Sequence, residues 1–443
     1  MNEAELGLLF APGTLALIDD LGPIDSADAV AAGIARLRRA GHPADVVAVA
    51  MTQARLRTKA VAKFGAFAER MLFTADGLQQ ATRLSVAARH AARFAIAGLT
   101  CVADLGCGIG ADALATAGLG LRVLAVEQDP VTAAIAQYNL AALPDAEVRI
   151  GDAEATDLDG VDGVWLDPAR RPGAGGRSSG ADQGGGGAHR RERHTTRRGQ
   201  GACRGGNGGP VRLRPEDWSP SLDFAFGLGD RIATGVKLGP GMDRELIPDD
   251  AEAQWVSVAG DVVELVVWRG DVARPGVRRA ALVLGAEPDD TVELTAADDA
   301  PDAEPGPLGH VLIEPDGAVI RARLIGALAR RLDPDARMLD PTIAWITTDE
   351  QPDPAALSGL GHAFEVVAEL PLDAKSIRRE LIARDIGALE IKKRGVDLDP
   401  AEFRNALRLD PRATRRGTGP GSPVLIATRI AGRRRAILAT RLS

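Results

Sequence analysis

The stretch Val102–Asp112, V-A-D-L-G-C-G-I-G-A-D, constrains this chain more than any other. An apolar run from Leu99 to Val102 leads to Asp104, and glycines follow at alternate positions, Gly106, Gly108 and Gly110. An Ala-rich, apolar-periodic segment opens near Asp112. The expected order is strand, glycine loop, helix. The backbone must turn sharply there, a ligand must come close to it, and the helix N-terminus behind the loop offers free N–H groups.

Glycine spacing alone is a weak signal, because Gly106, Gly108 and Ala111 also fit the dinucleotide fingerprint G-x-G-x-x-G/A. The elements that follow sharpen it. Val123–Val126 reads as a second strand ending on Glu127, about twenty residues past the loop, where a ribose-binding acid sits in such folds. Val148–Gly151 reads as a third, ending on Asp152. Gly163–Leu166 reads as a fourth, ending on Asp167-Pro168-Ala169-Arg170. Four strands thus deliver an acid to the same end, and in an open parallel sheet the ligand crevice lies outside the carboxyl ends of the strands.

Over residues 80 to 270 this series resembles the class I S-adenosylmethionine-dependent methyltransferases. Their acid-x-Gly-x-Gly-x-Gly motif is matched by Asp104, Gly106, Gly108 and Gly110, the acid after strand two by Glu127, the acid near the adenine by Asp152 with Ala153, and an Asp-Pro segment by Asp167 and Pro168. The resemblance implies an α/β fold: a Rossmann-like methyltransferase sheet behind an N-terminal helical cap. It implies S-adenosyl-L-methionine as cofactor. Glu127 would accept the ribose hydroxyls, Asp152 would face the adenine amino group beside the Ala153 N–H, and Asp104 would hold the loop or the cofactor's amino group.

The chain has 443 residues, too many for one ordinary core, so two or three domains are expected. Its 53 Lys and Arg against 61 Asp and Glu give no global attraction to nucleic acid, so any such contact must be a local basic patch. Aromatics are 3% of residues, which argues against base stacking as the main mode of binding. Three cysteines without C-x-x-C and six scattered histidines argue against a zinc site. The acidic N-terminus lacks a signal pattern and no apolar run is long enough to span a bilayer, so the expectation is a cytoplasmic protein with neither membrane nor metal partner.

Residues 1–98 read as a helical cap, with periodic stretches at Ser26–Ala40, Pro43–Ala60 and Leu78–Ala97. Ahead of the first motif, Gln80 and Thr82 are candidate cofactor contacts, since this segment often closes over the cofactor in the methyltransferases resembled. Residues 172–209 are mostly Gly, Arg, Ser and Ala, a composition that cannot bury a core. Two readings stand: a flexible basic arm, or an inserted or frame-shifted stretch without function, the second favoured by the ordinary sequence that resumes at Val211. The domain spanning 99–270 then closes with a helix at Asp217–Leu228, a strand at Ile232–Leu238 and a hairpin of Ala253–Ala259 with Val262–Arg269. Residues 271–307 read as an acidic, Pro-rich linker after a short strand at Ala280–Leu284.

Residues 308–443 mix helices and strands without a glycine fingerprint. Through I-G-A-L-E-I-K-K-R-G-V-D-L-D-P at 386–400 this α+β domain resembles the THUMP-like domain fused behind such methyltransferases, and true THUMP domains bind RNA. The resemblance implies an RNA substrate, with Lys392, Lys393 and Arg394 beside Lys375, Arg378, Arg379 and Arg384 either a phosphate-binding face or ordinary surface charge.

Methyl transfer needs a nucleophile positioned in line with the methyl carbon and a group to orient it. Asp167 is the candidate for that role, and Arg170 could hold a substrate phosphate. Asp-Pro-Ala-Arg lacks the second proline and the aromatic of amino-methylating enzymes, and Leu238–Met242 lacks the cysteine of uridine C5 methyltransferases. Two other readings remain at this stage: an RNA-binding or regulatory protein that keeps a cofactor pocket without catalysis, and an NAD-dependent oxidoreductase, which leaves Asp104, Asp152 and Asp167 unexplained.

Overall fold

A computed structural model of the chain describes residues 1–170, 214–285, 290–409 and 421–442. The Gly- and Arg-rich stretch 172–209 lies outside the described residues. The chain divides into two compact units: Met1–Val236 with Asp243–Leu246 and Gly270–Val272, and Lys237–Met242 with Ile247–Arg269 and Ala273–Ser443.

The first unit begins with helices α1 (Glu3–Leu9), α2 (Thr14–Leu21), α3 (Ala27–Arg39) and α4 (Ala44–Phe64). Asn2 and Glu5 close α1 with a capping box, and the Ser26 hydroxyl caps α3. The single helix expected over 78–97 is two, α5 (Ala75–Gln80) and α6 (Leu84–Ile96). At the break Ala81 is extended, and Lys63 Nζ donates to the carbonyls of Leu78, Gln79 and Ala81 at 2.9, 2.8 and 2.7 Å. A cation on the last carbonyls of a short helix stabilises its end.

Strands β1 (Cys101–Leu105), β2 (Arg122–Glu127), β3 (Ala146–Ile150) and β4 (Gly163–Leu166) alternate with α7 (Ala111–Gly118) and α8 (Pro130–Leu140). Two-residue strands β5 (Ala169–Arg170) and β6 (Trp218–Ser219) pair with each other, and α9 (Leu222–Leu228) leads to β7 (Ala233–Leu238). The order β7-β4-β1-β2-β3 is parallel throughout. Leu9, Phe64, Leu72 and Phe73 of the N-terminal segment share one core with Ile109, Ala111, Val123 and Ile135 around the glycine loop. The helices therefore bury their apolar faces on the same core that supports the loop.

In the second unit, β8 (Glu252–Val258) and β9 (Asp261–Arg269) form the expected antiparallel hairpin. β10 (Arg279–Leu284) runs parallel to β8, and β11 (Thr291–Ala296) pairs antiparallel with β10. The stretch expected as linker thus carries a strand: T-V-E-L-T-A alternates and uses the backbone partners that β10 offers. A seven-stranded sheet follows, built from β12 (Val311–Pro315), β13 (Arg337–Asp340), β14 (Ile343–Thr348), β15 (Gly361–Pro371), β16 (Glu390–Lys393), β17 (Pro423–Ile430) and β18 (Arg433–Arg441). Its order is β13-β14-β12-β15-β18-β17-β16. Helices α10 (Gly317–Arg321), α11 (Ile325–Leu332), α12 (Pro354–Leu357), α13 (Ala374–Ala383) and α14 (Pro400–Leu407) complete the unit. Ile377, Leu381 and Leu407 of α13 and α14 pack on one sheet face with Leu425 and Leu438, while Trp345, Phe364, Ile426 and Ile437 form a second core on the other.

Candidate cofactor site

β1 is buried along its whole length and carries Asp104, 3% exposed, to the start of the loop. Gly106, Gly108 and Gly110 all have positive φ, at 92°, 55° and 84°, the left-handed region that a side chain resists. Val126 O accepts from the N–H groups of Gly106 and Cys107 at 2.8 and 3.0 Å, so the chain folds back over β2 before α7 begins. At Gly106 and Gly108 an added Cβ would meet nothing within 4 Å; at Gly110 it would stand 3.3 Å from Leu140. The first two glycines therefore leave open room beside a bent backbone, and the third lets α7 approach α8.

Glu127 holds this loop directly. Its Oε2 accepts from Gly108 N at 3.0 Å and its Oε1 from Asp129 N at 2.9 Å. Each carboxylate oxygen can accept a second bond, so the group can grip the loop and still receive hydroxyl donors from a ligand. Asp152 lies exposed after β3 and caps the short turn Ala153–Ala155 by accepting from Glu154 N at 3.0 Å. Ala153 is half-buried beside it. Asp167 is half-buried directly after β4, and Arg170, the second residue of the exposed strand β5, sets its guanidinium 5.7 Å from the ring centre of the buried Trp218. The parallel strands place Asp104, Glu127, Asp152 and Asp167 at their carboxyl ends, as the motif spacing predicts.

Three residues that the motifs do not mark also hold the loop. Asn139 of α8 is buried, donates to Leu72 O at 3.0 Å and to Ile109 O at 2.9 Å, and accepts from Leu72 N at 2.8 Å. It ties the segment before α5 to the glycine loop. Asp112, in the first turn of α7, takes Thr82 Oγ1 at 2.7 Å and His90 Nδ1 at 2.8 Å. The His90 ring stacks on Trp165 with centres 4.2 Å apart. Thr82 thus braces α7 through a buried hydroxyl, and Gln80 is exposed on α5. Gly77 packs so closely that a Cβ would stand 2.4 Å from Ile109. A polar residue ending a helix, such as Asn139, looks like a surface residue in sequence; only the approach of Leu72 gives it this role.

The thiol of Cys107 is buried, and that burial, with Asp104 and Glu127 nearby, pushes it well above its ordinary range. It is neutral at physiological pH and suits packing, not nucleophilic attack.

In the second unit, β alternation splits the K-K-R run. Lys392 Nζ reaches Glu314 Oε2 at 2.7 Å and lies 5.8 Å from the Phe364 ring centre. Arg394 pairs with Glu314 at 3.4 Å, donates to Ala344 O at 2.8 Å and lies over Trp345. Lys393, between them, is exposed. Two of the three cations are therefore already engaged by an acid of the same unit. Among the described residues no group of three or more His, Cys, Asp and Glu could hold a metal, and no helix is long and apolar enough to cross a membrane.

Residues 361–441 match the THUMP domain-like family, and residues 5–60 match a domain of unknown function, DUF8688. Two Mycobacterium tuberculosis proteins, from strains H37Rv and CDC 1551, are each 33% identical to the chain over 364 residues, covering 80% of it and 87% of the relative. Both are described as uncharacterised S-adenosylmethionine-dependent methyltransferases. A crystal structure of a candidate methyltransferase from Porphyromonas gingivalis W83 superposes with a TM-score of 0.66 at 18% identity, covering 100% of this chain and 99% of that one. The fold is shared along the whole length.

Proposed function

Since the chain belongs to the S-adenosylmethionine-dependent methyltransferases, we propose that its substrate is RNA and that the acids at the ends of β1 to β4 divide the work of holding cofactor and acceptor. The observation that carries the RNA reading is the THUMP domain-like match over 361–441. The cofactor supplies an electrophilic methyl group on a sulfonium. Glu127 receives the ribose hydroxyls on the lone pairs left after its bonds to Gly108 and Asp129. Asp152 and the Ala153 N–H receive the adenine edge. The open side of Gly106 and Gly108 admits the methionine portion, and Asp104, at the root of the loop, faces its amino group.

Asp167 orients the acceptor atom in line with the methyl group and accepts its proton where it has one to lose. Arg170 holds a phosphate of the substrate. Of Lys392, Lys393 and Arg394, the exposed Lys393 contributes to the substrate side, since Glu314 engages the other two. The test is transfer of label from methyl-labelled S-adenosylmethionine to total RNA, to total protein and to a small-molecule extract. Label in RNA that falls at least tenfold in Asp167→Ala supports the reading; label confined to protein or small molecules overturns it.

A further inference from the structure

β17 and β18 are joined by Ala431 and Gly432, both left-handed at φ 47° and 76°, the two-residue turn that matches the twist of a hairpin. Alanine at the first of these positions is strained. Two bonds fix it: Ala431 N donates to Leu339 O at 3.1 Å, and Gly432 N donates to Asp340 Oδ2 at 3.1 Å. The tip is held to the end of β13.

The tip is densely basic, with Arg429, Arg433, Arg434 and Arg435 within seven residues. Arg429 and Arg434 stand directly opposite each other in the ladder. Like charges in that arrangement destabilise a hairpin. Little nearby acid offsets this. Glu369 is taken by Arg435 at 2.9 Å, and both oxygens of Asp340 are engaged by Thr342 and Gly432. Arg433 and Arg434 are exposed and have no ion pair among the described residues. Arg429 donates to Thr342 Oγ1 at 3.0 Å, and its buried Nε has no acceptor. The turn thus presents clustered cations whose mutual repulsion is offset only in part among the described residues, by the Glu369 pair with Arg435 and by the Asp340 carboxylate near Arg429.

We propose that this hairpin tip is a phosphate-binding contact for RNA, with Arg433 and Arg434 reaching phosphodiester oxygens. The inference rests on the RNA reading and sharpens it, because it moves the electrostatic contact from the acid-paired Lys392 and Arg394 to the β17–β18 turn. A guanidinium suits a phosphate through its fork of donors, and a preordered backbone lowers the entropic cost of binding.

The full chain and its R433E/R434E variant are titrated against a fluorescein-labelled 20-nucleotide single-stranded RNA and a hairpin RNA at 50 to 200 mM salt. R38E/R39E, on exposed α3 residues of the first unit, matches the change in net charge. The expected result is at least a tenfold loss of affinity at 50 mM salt for R433E/R434E. The slope of log K against log salt should shrink by about 1.4, two single-strand contacts, while R38E/R39E stays within threefold of wild type. A far-ultraviolet circular dichroism spectrum and a thermal midpoint unchanged from wild type show that the variant, including the second unit that carries the hairpin, is folded. If wild type binds RNA and the two variants behave alike, the hairpin proposal is overturned and the RNA reading stands. If wild type binds neither RNA even at 50 mM salt, the RNA reading fails and the hairpin proposal falls with it.

Discussion

The glycine loop and the β17–β18 turn both hold backbone in the left-handed region, and they do so in opposite ways. The loop uses three glycines, two of them facing open space, and commits the surrounding side chains inward: Glu127 to Gly108 and Asp129, Asn139 to Leu72 and Ile109. The turn places an alanine in the strained position, fastens the backbone from outside through Leu339 and Asp340, and sends its side chains outward. The loop therefore offers a bare backbone to something that must come close, and the turn offers charge to something that touches it from solvent.

The largest expected effect tests the inward commitment. Asn139→Ala leaves two carbonyls and one N–H without their partner in a buried place, a cost of about 3 kcal/mol. A thermal midpoint within 1–2 °C of wild type would break the claim that this amide holds the loop, given the several degrees that 1 kcal/mol is worth in a domain of ordinary size. Next, Glu127→Ala should weaken S-adenosylhomocysteine binding by about 30-fold, about 2 kcal/mol for charge-assisted bonds. Calorimetry on the two proteins measures it, and unchanged affinity would remove Glu127 from the cofactor site.

A smaller pair of opposite signs separates strain from clash. Gly106→Ala meets no neighbouring atom, so its cost is backbone strain alone, about 1–2 kcal/mol. Ala431→Gly relieves the same strain and should stabilise the fold by about 0.5–1 kcal/mol, less the entropy that glycine adds to the unfolded chain. Equal signs for the two would sink the comparison. The smallest effect is the pH dependence of the tip. Burial pushes the Asp340 carboxyl up, but bonds from Thr342 and Gly432, with Arg429 nearby, outweigh it and hold the group below its ordinary range. A depressed carboxyl contributes stability that is fully present above its unfolded value near 4 and is lost as pH falls below that. Denaturant midpoints between pH 6 and pH 3 should therefore fall more steeply in wild type than in Asp340→Asn.

The fold of the first unit was legible in the sequence because parallel strands bounded by glycines and acids are dictated by backbone geometry, and those residues stand at the positions that the motifs mark. The fastening of the loop was not. Asn139, Asp112 and His90 act across gaps of 22 to 67 residues, and no local pattern reports which helix face meets which segment. In the second unit the K-K-R run at 392–394 suggested one basic face, but period-two alternation divides it and Glu314 engages two of its members. β11 was hidden because an acidic, Pro-rich neighbourhood outweighs a six-residue alternation until its partner strand is known.

The division of the chain has a genetic consequence. Its path changes unit five times, at the junctions following Val236, Met242, Leu246, Arg269 and Val272. No single recombination breakpoint can deliver one unit without part of the other. Truncation before residue 273 removes most of the second unit but leaves its Lys237–Met242 and Ile247–Arg269 segments attached to the first. A cut that frees the THUMP domain-like match therefore leaves two pieces of its unit behind, since the match lies wholly within Ala273–Ser443.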